Sequence, residues 1–359
     1  MFPLFLYLNI SIMLSNTKYF MGKDGFNWFV GVVEDREDPL KAGRVRVRCL
    51  GYHSEDLTKI PKDELPWASI MMPVTAGGNS GIGTSSHFLL EGTWVVGFFR
   101  DPSMQEPIIM GTLPGKNSST TTDEHIAASS AVGGFSTKGG FKDPKGVYPT
   151  ALYVDKTDTN LLAQELIAEH PSNEAKTTLE PDWNTASGTA KQPESTQANA
   201  KYPYNHVFET EVGHYVEFDD TVGNERIHVF HKTGTFIEID PTGNVVIKTV
   251  GNVTNIIAGN MDTYVKGNWS LSTGGNIDVY AVGNLTEKVD GNRKTTITGT
   301  ETLEITGAVT NTYKAALNEE VTGAVDQQYK AMLTTKISGA ASIKSDVAMV
   351  VGGSTISFN

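Results

Sequence analysis

The chain has 359 residues, a formal net charge of −12 and a single cysteine. One cysteine excludes a disulfide within the chain, so stability must come from packing or assembly. The acidic balance argues against a nucleic-acid partner, which needs Lys and Arg in excess on one face, and a charged fraction of 19% is too low for a disordered polyanion.

Residues 1–25 form an N-terminal arm. Its first fourteen residues, MFPLFLYLNISIML, are strongly apolar. They look like a signal-peptide core, but no Lys or Arg precedes them and no small-residue cleavage site follows. Residues 1–20 read as a flexible arm or as an upstream start before Met21. No stretch of the chain reaches the ~20 apolar residues of a membrane-spanning helix.

Residues 26–114 read as a small β-barrel of five or six strands. Val30–Val33, Arg44–Cys49, Ala68–Met72, Trp94–Phe99 and Ile108–Met110 are short branched or aromatic runs separated by Gly, Pro and Asp. Arg44-Val45-Arg46-Val47-Arg48 alternates strictly, as a strand with one buried face does. The OB type of barrel fits this count and length.

Residues 115–200 are rich in Ser, Thr, Ala, Asn, Gln, Lys and Glu, and read as an extended polar linker laid over another surface. One short helical patch is expected at Leu161–Ala168. Residues 201–242 return to strand character as a lead-in segment. Three short strands are expected there, with turns at Asp219–Asn224, Lys232–Gly234 and Pro241–Gly243.

From residue 243 to 359 the chain has a period of eight. Glycine stands at Gly243, Gly251, Gly259, Gly267, Gly275, Gly283, Gly291, Gly299 and Gly307, then at Gly323 and Gly339, with Ala315 and Ala331 at the two skipped places. Nine such hits in a row by chance are on the order of one in a billion. The second and sixth positions after each glycine are mostly apolar: Val253, Ile257, Met261, Val265, Trp269, Ile277, Ala281, Leu285, Val289, Ile297, Ile305, Val309, Tyr313, Leu317, Val321, Val325, Tyr329, Leu333 and Ile337. Only Thr273, Arg293 and Glu301 break this stripe.

Both positions are even offsets, so in an extended chain they share one face. Each octad reads as a short strand and a sharp bend. Glycine suits the bend because it can take positive φ or let another backbone approach. One octad supplies too little surface to enclose a core, and eight residues are too few for a coil of a single-chain β-helix. The apolar face and both strand edges must be covered by other copies of the chain, and three chains wound about a common axis would do so with closed symmetry. Arg293 and Glu301 hold the same lattice position in successive octads and are expected to pair between chains, because an isolated buried charge is costly; the bland alternative is a local break in the apolar stripe.

Two stretches then resemble a known family, the central baseplate hub and cell-puncturing spike of contractile-tailed phages, related to the VgrG spikes of type VI secretion. FNWFVGVVEDREDPLKAGRVRVRCLGYH (26–53), LPWASIMMPVTAGGNSGIG (65–83) and EGTWVVGFF (91–99) look like its N-terminal OB domain. ETEVGHYVEFDDTVGNERIHVFHKTGTFIEIDPTGN (209–244) and the octads look like its lead-in and triple-stranded β-helix. The resemblance implies an all-β homotrimer that sits in the virion tail baseplate and is assembled in the host cytoplasm. It implies hub proteins, the host outer membrane and a small cap protein at the C-terminal tip as partners. Relatives carry a lysozyme domain between barrel and needle; the 115–200 segment is too short and too polar for one, which implies a spike without enzymatic activity. The alternatives are a secretion-system spike and a spike that hydrolyses peptidoglycan.

Other motifs have bland readings. His228 and His231 are three apart in a strand and point to opposite faces, so with His214 nearby they make no convincing metal site. Gly77–Gly83 lacks the ending of a phosphate loop and reads as a barrel loop. Glu34-Asp35 and Asp219-Asp220 read as exposed carboxylates, and Cys49 as a small buried hydrophobe. No catalytic, cofactor-binding or metal-ligating residue is expected.

Overall fold

The apolar runs between residues 26 and 114 become five strands in the computed structural model, which describes residues 27–114, 148, 159–166, 170, 183–186, 188–190 and 199–356. They are β1 (Asn27–Asp35), β2 (Val45–Cys49), β3 (Trp67–Ile70), β4 (Trp94–Phe99) and β5 (Pro107–Thr112). They close into a barrel in the order β1-β2-β3-β5-β4, with β3 and β5 parallel and every other pair antiparallel. This is the closed five-stranded arrangement expected of an OB domain. The N-terminal arm lies outside the described residues.

Period-two alternation sends Phe29, Val33, Val45, Val47, Cys49, Val95, Phe99 and Ile109 into one core with Ala68. The tight curvature needs a residue without a side chain at Gly97. A Cβ there would sit 2.1 Å from the Ile108 carbonyl oxygen and 2.7 Å from the Phe29 ring. Burial pushes the Cys49 thiol pKa up, so Cys49 is an inert core residue.

The strict alternation of β2 misleads at one place. Arg48 is completely buried although it lies on the polar face of the strand. Its Nε and Nη2 donate to the two oxygens of Glu34 at 2.5 and 3.0 Å, and its remaining N–H groups reach the Ser54 and Ile60 carbonyls at 2.6 and 2.8 Å. The loop after β2 therefore wraps over a satisfied ion pair. Glu34, read from sequence as an exposed acid, is a buried member of β1.

Among the described residues of the 115–200 segment, the expected helical patch is a short 3-10 turn at Leu162–Gln164, and residues 167–169 lie outside the description. A hairpin of β6 (Trp183–Thr185) and β7 (Gly188–Ala190) also forms here, which composition did not announce. The lead-in then builds an antiparallel meander: β8 (Asn205–Glu209), β9 (Tyr215–Asp219), β10 (Arg226–Phe230), β11 (Phe236–Ile239) and β12 (Val245–Lys248). The three expected strands are joined by β8 before them and by β12, which occupies the first octad.

Candidate functional site: an inverted sheet leading into an octad rod

The meander has its chemistry the wrong way round for a sheet in one chain. Its covered face carries Tyr215, Glu217, Asp219, Arg226, His228, Phe230, Phe236 and Glu238, all buried. Its open face carries Phe208, Phe218, Ile227, Val229, Ile237, Val245 and Ile247, all exposed. A contiguous apolar sheet face left to water marks an interaction surface.

The covered face is largely paired internally, although the buried Asn205 Oδ1 and Asp219 Oδ2 accept no hydrogen bond among the described residues. Arg226 Nη2 donates to Glu217 Oε2 at 2.5 Å and its Nη1 lies 3.6 Å from Glu238 Oε2. Asn205 Nδ2 donates to Glu217 Oε1 at 2.8 Å, and the His228 Nδ1 lies 3.2 Å from the Tyr215 hydroxyl. A segment of the linker lies over this face. Leu162 is fully buried against Tyr215, Phe230 and Phe236, and its carbonyl accepts from Asn205. Asn160 donates to Glu209 Oε2, and His170 Nε2 stands 3.0 Å from the same oxygen. The Tyr202 amide and Lys201 ammonium bind Glu165 and hold its carboxyl below the usual range. Asp219, read as an exposed turn acid, is buried and accepts from the Thr221 amide; Asp220 is exposed.

The three histidines separate. His228 is buried in the covered face, while His231 lies in the β10–β11 turn with its ring 4.3 Å from that of His214. Among the described residues no group of three His, Cys, Asp or Glu is placed to hold a metal ion. The Gly77–Gly83 loop is a tight turn closed by an Asn79–Ile82 bridge.

The turn Asp240–Asn244 leads from β11 into β12. Asp240 accepts from the side chains and amides of Thr242 and Asn244, which hold its pKa at about 2. Beyond β12 the chain divides by its contacts into two units, Met1–Ile277 and Asp278–Asn359. The octads behave alike in each. A bend falls on each lattice residue and the one before it: 250–251, 258–259, 266–267 and 274–275 in the first unit, then 282–283, 290–291, 298–299, 306–307, 314–315, 322–323, 330–331 and 338–339 in the second. Ala315 and Ala331 bend like the glycines. Between bends the chain is extended but unpaired. Among the described residues after 250, no backbone amide bonds a backbone carbonyl of the same chain. Every residue from 249 to 356 is exposed.

Positive φ is not the reason for these glycines. Gly243 is left-handed, but none of the ten lattice glycines after it is. A Cβ added at any of those ten would meet nothing within 4 Å. In one chain, nothing in their surroundings demands glycine.

Exposure varies along the octads without singling out the expected interior positions, since Trp269 and Leu285 are 76% and 79% exposed where Leu271 is 65%. Ile257 is 49% exposed where its neighbour Ile256 is 90% exposed. In the second unit Tyr313 and Tyr329, at the sixth position, are 62% and 58% exposed, while Tyr280 at the fifth is 90%. Val253, Val265, Trp269, Ile277, Leu285, Val289, Ile297, Ile305, Val309, Leu317, Val321, Val325, Leu333 and Ile337 are all exposed large apolar groups in the single chain.

Comparison with known proteins gives these surfaces a context. The Gp5 N-terminal OB domain family matches residues 51–206, from the loop after β2 into β8. Protein Gp5 of Vibrio phage KVP40 is 37% identical over 280 residues, covering 69% of this chain and 63% of the relative. The pre-baseplate central spike protein Gp5 of Enterobacteria phage T4 is 41% identical over 149 residues, covering 40% of this chain and 23% of that protein. The chain thus spans less than two thirds of the length of either relative. A closed five-stranded barrel, an OB-domain match that continues past it and identity of this extent to two phage proteins together make the chain a homologue of the phage Gp5 proteins.

Proposed function

We propose that the chain is a structural spike at the centre of a contractile-tail baseplate, working as a homotrimer. The observation that carries this reading is the octad rod: a hundred residues of extended chain with regular bends, no backbone pairing and no buried side chain. Extended backbone and an apolar stripe both demand partners, and a rod that repeats every eight residues can be matched along its whole length by copies of itself. An extended octad spans about 26 Å, enough for one flat face of a three-sided prism. The open face of β8–β12 runs into the same stripe and would close against its two counterparts.

In this reading the barrels form a collar on the hub proteins and the needle transmits the thrust of sheath contraction to the host outer membrane. Its stiffness comes from backbone hydrogen bonds between copies, and no bond-making chemistry is involved. The T4 relative's name places that protein in a pre-baseplate as a central spike, which supports the same assignment here. The C-terminal tip would seat a small cap protein, and the whole would be built in the host cytoplasm before joining the virion.

Native mass spectrometry of the full chain, and electrophoresis in SDS without heating, test the proposal. A trimer that resists detergent at room temperature is expected. A monomer with residues 251–350 protected from hydrogen exchange would overturn it.

A further inference from the structure

The octads pose a problem that apolar packing does not solve. When each octad resembles the next, a copy that slips by eight residues keeps nearly all its apolar contacts, so something must choose the register. We infer that Arg293, held between Glu287 of its own chain and Glu301 of a neighbouring copy, is the residue that fixes the register of the needle. This rests on the trimeric reading above.

The sequence isolates Arg293. Seven lysines lie between residues 251 and 356: Lys266, Lys288, Lys294, Lys314, Lys330, Lys336 and Lys344. All stand at odd offsets from the lattice residue, where an extended chain turns them away from the apolar stripe. Arg293, at offset two, is the one basic residue at an even offset. Acids at even offsets are Glu287, Glu301 and Glu319.

The structure places one of these against it. Arg293 Nε lies 3.3 Å from Glu287 Oε1, across the bend at 290–291. Both side chains are more sheltered than the Lys288–Asp290 pair on the odd positions: 68% and 54% exposed against 81% and 85%. Two ion pairs a few residues apart therefore lie on opposite sides of the same rod.

The three-fold geometry supplies the other acid. If each copy lays one octad on each face of the prism, the strand above a given octad is the following octad of a neighbouring copy. Residue i then stands beside residue i+8 of that neighbour, at the ~4.8 Å spacing of adjacent strands. Arg293 stands beside Glu301. A copy slipped by one octad sets Arg293 beside either another Arg293 or Val309. Opposite charges side by side in a sheet attract and like charges repel, and an interior position with little water strengthens both effects. Layers further away, such as Val253 and Met261 below and Leu317 and Val325 above, meet apolar neighbours in either register.

The register can be read with Thr296→Cys and Glu304→Cys in one full-length chain. They stand at offset five of adjacent octads, on the outer face and eight residues apart. A short bis-maleimide should join 296 of each copy to 304 of the next and close a covalent trimer. Cys49 is fully buried and does not compete. Native mass is measured in parallel. The covalent trimer is expected as the main product with Arg293 present. Its yield should fall about tenfold or more with Arg293→Glu, which sets two acids side by side, and recover with Arg293→Glu combined with Glu301→Arg. A trimer by mass that never forms the 296–304 link would overturn the eight-residue pairing while sparing the trimer. Unchanged yield with Arg293→Glu would overturn the role of the charge. A monomer by mass would sink the trimeric reading itself, and the inference with it.

Discussion

Residues 27–112 and residues 251–356 both use the alternation of extended chain, and they end in opposite states. The barrel folds its alternation into a closed sheet, so each strand edge finds a partner and Val33, Val47 and Val95 lose all contact with water. The octads keep the alternation, the bends and the apolar face, yet make no backbone pairing and bury nothing in one chain. The difference lies in length between bends. Runs of four to nine residues joined by longer loops can return on themselves, whereas an extended run with a bend every eighth residue always moves on. The barrel closes its sheet within one copy, whereas the octads leave their apolar face and backbone open for the partners proposed above.

The sharpest way to break this contrast is Ile297→Asp. In the proposed needle it would bring three carboxylates toward the axis, each costing several kcal/mol. The SDS-resistant trimer should disappear, while near-ultraviolet circular dichroism from the barrel aromatics stays unchanged. A surviving trimer would show that the sixth lattice position faces outward. The converse test is Arg48→Met. It leaves Glu34 buried without its cation and should destabilise the barrel by about 3–5 kcal/mol in urea titration, with the trimer intact. If both regions unfold together, they are not independent.

Gly275→Val addresses the bends. A single chain tolerates the added side chain, since φ is ordinary and the space is open. The barrel's Tm should not move, and the trimer should weaken by about 1–3 kcal/mol as the valine meets a neighbouring backbone. An unaffected trimer would mean that the recurring glycine serves no close approach. The smallest effect is acid dependence of the barrel. The Arg44 side chain, and then the Leu40, Arg44 and Ala42 amides, hold the Asp38 carboxyl well below the usual range against the opposing cost of burial. A depressed folded-state pKa stabilises the fold above the ordinary value near 4 and loses that contribution as pH falls through the folded one. Thermal melts should show the barrel weakening below about pH 4, and Asp38→Asn should flatten that part of the profile while lowering Tm at neutral pH. A wild-type profile flat from pH 7 to 3 would count against the assignment.

Much of this architecture is legible in the residues, for reasons that also explain the gaps. The five barrel strands are marked by branched and aromatic runs between Gly, Pro and Asp, and the octads by a lattice of glycine that is consecutive from 243 to 307 and gives way to alanine at 315 and 331. Arg48 is not legible, because its partner Glu34 lies fourteen residues away on another strand and nothing local distinguishes it from Arg46, which keeps part of its side chain exposed over Trp67. The lead-in hides β8, since Asn205-His206-Val207-Phe208-Glu209 mixes polar and apolar groups, and it hides the inversion, since alternation reveals two faces without saying which is covered. That choice is made by Leu162, some forty residues upstream in a segment that reads as polar linker. The reason for the glycines is half visible: of the two roles the sequence offers, positive φ occurs at Gly243 and at none after it, which leaves close approach of another backbone as the remaining one.

The regular spacing of the bends makes reach a whole-number quantity. Removing eight residues anywhere between two bends would shorten the rod by one rung and leave every later side chain on its former side; removing seven would turn the remainder inside out. In the proposed needle, length could therefore change only in steps of a full octad, and only outside the octads that carry Arg293 and Glu301.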